Sequence, residues 1–552
     1  MTIPTLPNNY PLLIKQILKM PLAQASQRQI VYRGDQRFTY PQFAERVHRL
    51  AGALDALGAK MGTTVAVMDW DSHRYLESYF AVPMSGCVLM TANIRLSPEQ
   101  IAYTLDHSGA EILLIHTDFL PILAAIRTRL PKLRHLVLLT DAPAADISLP
   151  DGFTGDYESL LAAAPAQRDF PDFDENTQAT TFYTTGTTGL PKGVMFSHRQ
   201  IVLHTLGVMA TLLMAGLNAK FSREDVYMPL TPMFHVHAWG FPFAATMMGM
   251  QQIYVGRFLP EVVLKLLATE HVTISHCVPT IMHMILNAPA AAAIDLSGWH
   301  VIIGGSALPR ALCEAAMARG IDIFSGYGMS ETCPLMTMSQ LRSTTLDAAP
   351  DRRDAEIATR VAAGLPAVFV EIRIVDDAMN DLPHDGKSIG EVVARSPYLT
   401  PGYAGNPEAS EALWRGGWLH TGDLGMLDAD GTLHIVDRLK DVVKTGGEWV
   451  SSIGIEDIIL QHPAIAEVAV VGVPDERWGE RPVAFVVARP GADATDEAIK
   501  AHVRVRADSG EISRYAVPDR VVFVEALDKT SVGKLDKKAM RARLAASVLA
   551  PS

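Results

Sequence analysis

The segment Tyr183-Thr184-Thr185-Gly186-Thr187-Thr188-Gly189-Leu190-Pro191-Lys192-Gly193 joins turn-forming glycines, hydroxyl donors and one cation. Glycine lets a backbone turn tightly and bring its N–H groups up to an anion. The threonine hydroxyls add donors and Lys192 adds charge, so the composition is that of a phosphate cradle. It is not a Walker A loop, which needs Gly directly before the Lys and Ser or Thr after it. Here Pro191 precedes Lys192 and Gly193 follows. The plain alternative is a flexible Gly/Thr turn, but that many donors beside a lysine serve no packing purpose.

Further segments carry chemistry-bearing residues: Pro232-Met233-Phe234-His235-Val236-His237-Ala238-Trp239, Ile303-Gly304-Gly305-Ser306-Ala307 and Ser325-Gly326-Tyr327-Gly328-Met329-Ser330-Glu331-Thr332. Thr421-Gly422-Asp423, Asp437-Arg438-Leu439-Lys440-Asp441 and Thr530-Ser531-Val532-Gly533-Lys534 follow. Each has a bland reading. Asp423 and Arg438 can form a mere ion pair, Glu331 can cap a turn, Tyr327 can be core, and Lys534 can be a solvated lysine. His235 and His237, two apart, are expected on one strand face, where such a pair can chelate. No third ligand stands nearby in sequence, so a zinc site is not expected.

In order and spacing these segments resemble the adenylate-forming superfamily: acyl-CoA synthetases, peptide-synthetase adenylation domains and firefly-type luciferases. The likeness runs along nearly the whole chain. It implies an α/β fold with a large N-terminal AMP-binding domain, residues 1–436, of two α/β/α-type subdomains plus a small β-barrel. A small mobile α+β lid, residues 437–552, would hinge at Lys440. The chemistry is intelligible. A carboxylate is a poor electrophile, whereas an acyl-AMP has a phosphate monoester as leaving group. Negative charge builds on the α-phosphorus and on departing pyrophosphate, and fixed cations and donors there lower the barrier.

By this resemblance Lys534 supplies charge at the α-phosphate and carboxylate, and residues 184–192 hold the β- and γ-phosphates of ATP. Glu331 and the Thr184 hydroxyl hold Mg²⁺, a hard cation that prefers oxygen ligands. Asp423, assisted by Arg438, accepts hydrogen bonds from the ribose. Tyr327 stacks on adenine, with Gly305 and Gly326 allowing close approach, and Ser306, Ser325, Gly328 and Ser330 belong to the same elements. His235 sits beside the acyl carboxylate and Trp239 gates an acyl tunnel. Lys440 is the pivot. Lys444, Gly446, Gly447 and Trp449 lie in a loop that serves coenzyme A after the lid swings. A tight hairpin turn is the plain reading of Gly446-Gly447.

The Trp and the GGEW-SS stretch favour a medium- to long-chain fatty acid–CoA ligase. The alternatives are a CoA ligase for a small branched, cyclic, aryl or thioether acid, or a free-standing acyl-AMP ligase serving a carrier protein. Asp528 departs from pattern, standing where relatives carry Pro before the lysine motif. Met247, Met248 and Met250 read as a Met-rich core helix rather than an acyl pocket.

These residues need rigid elements to hold them. Strands alternate with capped helices, the signature of α/β layering. Ser97-Pro98-Glu99-Gln100 predicts a capping box with Pro at the first helical position, and Ser197-His198-Arg199-Gln200 predicts a second. Residues 111–115, 65–68, 301–303 and 179–183 read as buried strands. Residues 141–177 and 341–366 read as surface connections.

The chain's 552 residues exceed one core. With 48% hydrophobic and 20% charged residues it is a folded chain. A net charge of −12 argues against a nucleic-acid binder, whose footprint is basic. The charge lies on the large part; the lid is near neutral and ends in a basic run, residues 529–543. Four cysteines without a CxxC pair fit a reducing compartment, and the cytoplasm is expected. No signal peptide is read at the N-terminus. Three stretches without Asp, Glu, Lys or Arg (200–219, 226–256 and 271–294) are broken by prolines or carry histidines, and read as core, not membrane spans. Relatives by motif often dimerise, so a homodimer is expected, and peripheral membrane contact stays open.

Overall fold

The computed structural model describes residues 10–24, 27–143, 146, 148–184, 190–214, 221–446, 448–510, 512–529 and 535–549, with side chains to Leu544. Two large sheets dominate the first part. The seven-stranded sheet is parallel at its centre, where Thr64–Met68 lies between Val88–Thr91 and Ala110–His116. One edge is an antiparallel hairpin of Gln178–Thr184 and Lys192–Ser197, in which Thr184 pairs with Lys192. The nine-stranded sheet carries a parallel run through Val226–Pro229, Ile274–Cys277, His300–Ile303 and Asp322–Gly328. All five residues of Thr64–Met68 are buried, as a parallel strand covered on both faces requires.

The capping signals are read correctly. Ser97 and Gln100 form a reciprocal box at the start of Pro98–His107. Ser197 and Gln200 do the same at His198–Met214, the Ser197 N–H donating to Gln200 Oε1 at 2.8 Å. Two stretches expected as plain connections instead hold helices. Tyr157–Ala163 buries Tyr157 and Leu161, four apart on one face. Arg352–Val361 buries Ile357, and its Arg360 pairs with Asp322 at 2.5 Å. Their charged faces obscured short apolar stripes.

A four-stranded antiparallel sheet, from Glu371–Val375 to Leu433–Arg438, takes the place of the expected small barrel. Residues 439–442 then lead to Val443, where a separate five-stranded sheet begins. Its long hairpin, Ile465–Asp475 with Gly479–Ala488, sorts side chains by parity. Val468 and Val470 pack with Ile455, Ile459, Ile499 and Val503 on one face, while Ala469 and Val471 pack with Met540 and Leu544 on the other. The small unit therefore has its own core, as a lid that moves as a body requires. Among the described residues no helix is long and apolar enough to cross a membrane.

Candidate active site

A cleft of about 450 Å³, its open mouth included, lies at the C-terminal ends of the parallel strands of the nine-stranded sheet. That is where open α/β sheets bind ligands, and the size suits a small molecule. Sequence-predicted His235, Trp239, Gly305, Gly326, Tyr327, Gly328 and Ser330 all line it. Ser306 follows directly on Gly305, and Ser325 precedes Gly326 in the strand Asp322–Gly328.

One wall is polar. Tyr327 donates its hydroxyl to Asp423 Oδ2 at 2.7 Å. Burial, then the Asp423 charge, holds the Tyr327 phenol well above its usual range, so it stays a donor. Asp423 sits opposite Arg438 across the ladder, with the Arg438 Nε 3.6 Å from Oδ1. Strand pairing thus places an aromatic face, a carboxylate and a guanidinium at one edge of the cleft.

Glu331 lies in the short turn Ser330–Thr332, immediately after the cleft-lining Ser330. Tyr403 donates to its Oε1 at 2.8 Å, and the Lys192 ammonium sits 4.7 Å from the centre of the same Tyr403 ring. Tyr403 therefore bridges the cation of the phosphate loop and the acid expected to hold metal. Sequence reading missed it, because only the fold joins residues 72 apart.

The expected strand at His235–His237 is absent. Residues 236–239 form a left-handed turn instead, with φ of 49° at Val236, 54° at His237, 48° at Ala238 and 59° at Trp239. Such backbone costs an L-residue roughly 1–2 kcal/mol each. Neighbours hold it in place. The Met233 N–H donates to Asp71 at 2.7 Å, Thr91 donates to the Phe234 carbonyl at 2.9 Å, and Tyr79 donates to the Met233 carbonyl. The two histidines consequently separate. His235 faces the cleft, whereas His237 is fully buried among Tyr79, Phe182 and Phe243. They do not form a chelating pair. Met247 and Met248 end the helix Phe241–Met248, outside the cleft lining, as read from sequence.

The Trp239 indole forms the apolar wall. It stacks on His276, ring centres 5.0 Å apart at 29°. A Cβ at Gly304 would lie 3.0 Å from its Cη2, so a larger residue there would press on the indole. His276, which lies behind Trp239 and not in the cleft lining, was also missed, and Gly304 was read only as part of its segment; neither forms a pattern with Trp239 along the chain.

The remaining expected residues lie on the small unit. Burial, then Arg438, lowers the Lys440 ammonium below its ordinary value. Lys444 pairs across the hairpin with Trp449, its ammonium 5.4 Å from the indole centre, and neither lines the cleft. Gly446 has φ of +60°, and a Cβ there would meet the Tyr515 ring at 2.7 Å. Its tight turn is thus walled by an aromatic that sequence reading did not single out. Thr185, Gly186, Thr187, Thr188, Gly189, Gly447 and Lys534 lie outside the described residues.

Magnesium fits the donor set in chemistry: a carboxylate at Glu331 and a hydroxyl at Thr184 are oxygen ligands. The described residues hold no group of three or more His, Cys, Asp or Glu side chains gathered for a metal. A cation here must complete its shell with phosphate and water, as Mg²⁺ does at phosphoryl-transfer sites.

Residues 20–404 match the model of the AMP-binding enzyme family, and residues 454–534 match that of the AMP-binding enzyme C-terminal domain. The chain is 38% identical to a long-chain-fatty-acid–CoA ligase of Thermus thermophilus, covering 92% of this chain and 90% of the other. It is 35% identical to a 3-methylmercaptopropionyl-CoA ligase of Ruegeria lacuscaerulensis, with 92% and 91% covered. Its fold is similar to a crystal structure of an anthranilate CoA ligase in complex with anthranoyl-AMP, at TM-score 0.83 and 26% identity over 100% of both chains.

Proposed function

The chain belongs to the AMP-binding enzyme family, an adenylate-forming acid–thiol ligase, and we propose that its acid is a compact carboxylic acid, branched, cyclic, aryl or thioether, with coenzyme A as acceptor. The observation that carries this reading is the wedged Trp239, which ends the cleft in an indole packed between His276 and Gly304. Similar proteins named for a thioether acid and for anthranilate lend it support. The relative named for long-chain fatty acids supports the alternative, in which the indole swings aside.

In the first half-reaction the acid's carboxylate oxygen attacks the α-phosphorus of ATP. A C(O)O–P bond forms and the bond to the pyrophosphate oxygen breaks. Asp423 and Arg438 hold the ribose, Tyr327 the adenine, and Lys192 with the preceding loop the departing phosphates. His235 flanks the carboxylate. Glu331 and Thr184 would hold Mg²⁺, which supplies charge neutralisation to the phosphates. Lys534 brings a cation to the α-phosphate. In the second half-reaction the thiol sulfur of coenzyme A attacks the acyl carbonyl and AMP leaves.

We place the division at residues 436/437 with the pivot at Lys440. Support for the pivot comes from the strand Leu433–Arg438 closing one sheet and Val443 opening the next, with Asp437 and Arg438 still paired in the first sheet. Two hydrogen bonds span that connection. The Ser452 N–H donates to Asp437 Oδ2 and the Ser451 hydroxyl to the Val436 carbonyl, each at 2.5 Å. Lys444, Gly446, Gly447 and Trp449 would serve coenzyme A once the lid turns. Free, buried cysteines support a reducing, cytoplasmic setting.

The test is a panel of straight-chain, branched, thioether and aryl acids scored for CoA-dependent AMP formation. Compact acids should give the highest kcat/KM. A preference for chains of twelve carbons or more overturns the compact-acid reading, and absence of AMP with every acid overturns the ligase assignment to CoA.

A further inference from the structure

We propose that His276 is a specificity-determining residue, which fixes Trp239 as an immovable end wall and thereby sets the longest acyl chain the cleft accepts. The inference rests on the reading that Trp239 bounds the acyl pocket. His276 stands at the end of the strand Ile274–Cys277 and is fully buried. Both ring nitrogens are engaged: Nε2 lies 2.7 Å from the Tyr227 hydroxyl and Nδ1 lies 3.1 Å from Thr231 Oγ1. A hydroxyl both donates and accepts, so either neutral tautomer is satisfied and the ring cannot turn without losing a partner.

The plane so fixed meets three aromatic neighbours, Trp239 at 5.0 Å, Phe241 at 4.8 Å and Tyr227 at 5.7 Å between ring centres, all within about 31° of parallel. Burial lowers the imidazole's pKa to about 3, so a neutral, stacking ring is what Trp239 meets at neutral pH. On its far edge the indole abuts Gly304, and its own backbone lies in the left-handed turn at φ 59°. A gate must rotate about its side-chain bonds. Here the His276 ring on one side and the Gly304 backbone on the other both oppose that rotation. His276 touches no reacting atom in this account; it acts through Trp239.

The experiment measures kcat/KM for butanoate and octanoate, with KM for ATP, in the full-length enzyme and its variants. His276→Ala should raise the octanoate-to-butanoate ratio at least tenfold with KM for ATP unchanged. His276→Leu, which fills the volume without a stacking face, should move the ratio the same way and covers the case in which the alanine variant does not fold. His276→Phe keeps a stacking face but neither hydrogen bond, and should move the ratio less than His276→Leu does. Wild-type ratios in the alanine and leucine variants, or a phenylalanine variant that moves the ratio as far as leucine does, overturn the inference. Trp239→Ala separates it from its premise. If that variant changes the ratio while the His276 variants do not, His276 is not the clamp but the wall stands. If Trp239→Ala also leaves the ratio unchanged, the wall reading itself falls.

Discussion

Around Trp239 the side chains are almost wholly interior: His237, His276, Tyr79, Phe182 and Tyr227 are buried, and the backbone itself is strained. Around the connection at residues 439–442 burial is mixed, with Asp441 and Val442 buried but Leu439 39% exposed. Arg438 is 46% exposed at its side chain, Trp449 is 45% exposed, and the links are ion pairs and single hydrogen bonds such as Arg541 with Asp441 at 2.6 Å. The first region resists deformation because close-packed interiors do. The second is held by contacts that exchange with water at small net cost. On the proposed reading, one chain thus separates two demands: a stiff wall that would choose the acid, and a more exposed connection that would let charge be delivered and withdrawn.

The largest expected effect lies on the mobile side. Lys534→Ala should cut acid-dependent pyrophosphate release by about 10²-fold or more, the usual loss when one fixed donor to developing charge is removed. An unaltered rate would break the contrast, since the lid would then bring no essential charge. Next comes the edge where the two regions meet. Asp423→Asn removes the charge that pairs with Arg438 and accepts from Tyr327, and should raise KM for ATP by about tenfold with little change in acid preference, as expected of one charge-assisted contact. A shift in acid preference instead would mean that nucleotide and acyl recognition are not separable.

The smallest effect concerns the stiff side. Neither ring nitrogen of His237 has a hydrogen-bond partner among the described residues, and burial lowers its pKa to about 3. The unfolded chain binds this proton below about pH 6.5 while the folded one does not, so stability declines as pH falls from there toward 3. His198, His204 and His276 act in the same direction. His237→Phe removes one of these groups and an unpaired buried polar group, and should stabilise by about 1–3 kcal/mol. Urea melts at pH 7 and pH 5 test it: the gain over wild type should be larger at pH 5. An equal or smaller gain there would mean that the imidazole is protonated inside the fold.

What was legible in the sequence follows the same contrast. The polar face was readable, because Tyr327, Glu331, Asp423 and Arg438 lie in short contiguous motifs whose residue types announce charge chemistry. The stiff wall was not. His235-Val236-His237 alternates as a strand does, and no glycine among residues 236–239 hints at a left-handed turn; only Gly240 follows. Asp71, Tyr79 and Thr91, from more than 140 residues away, fix Met233 and Phe234 just before the turn. His276 and Tyr403 matter for what they touch, and neither neighbour is near in sequence. The helix Arg352–Val361 was hidden for a related reason: its stripe is narrow, and Arg360 is buried by meeting Asp322 and the Ile323 carbonyl across the fold as well as Glu356 on its own helix.

The separation of wall from lid is tested most directly by thioester formation in Lys534→Ala from a series of presynthesised acyl-adenylates and coenzyme A. The expected result is turnover near the wild-type rate with the wild-type ranking of acyl groups, because the wall that ranks them does not involve the lysine. Loss equal to that in pyrophosphate release, or a changed acyl ranking, would contradict the account.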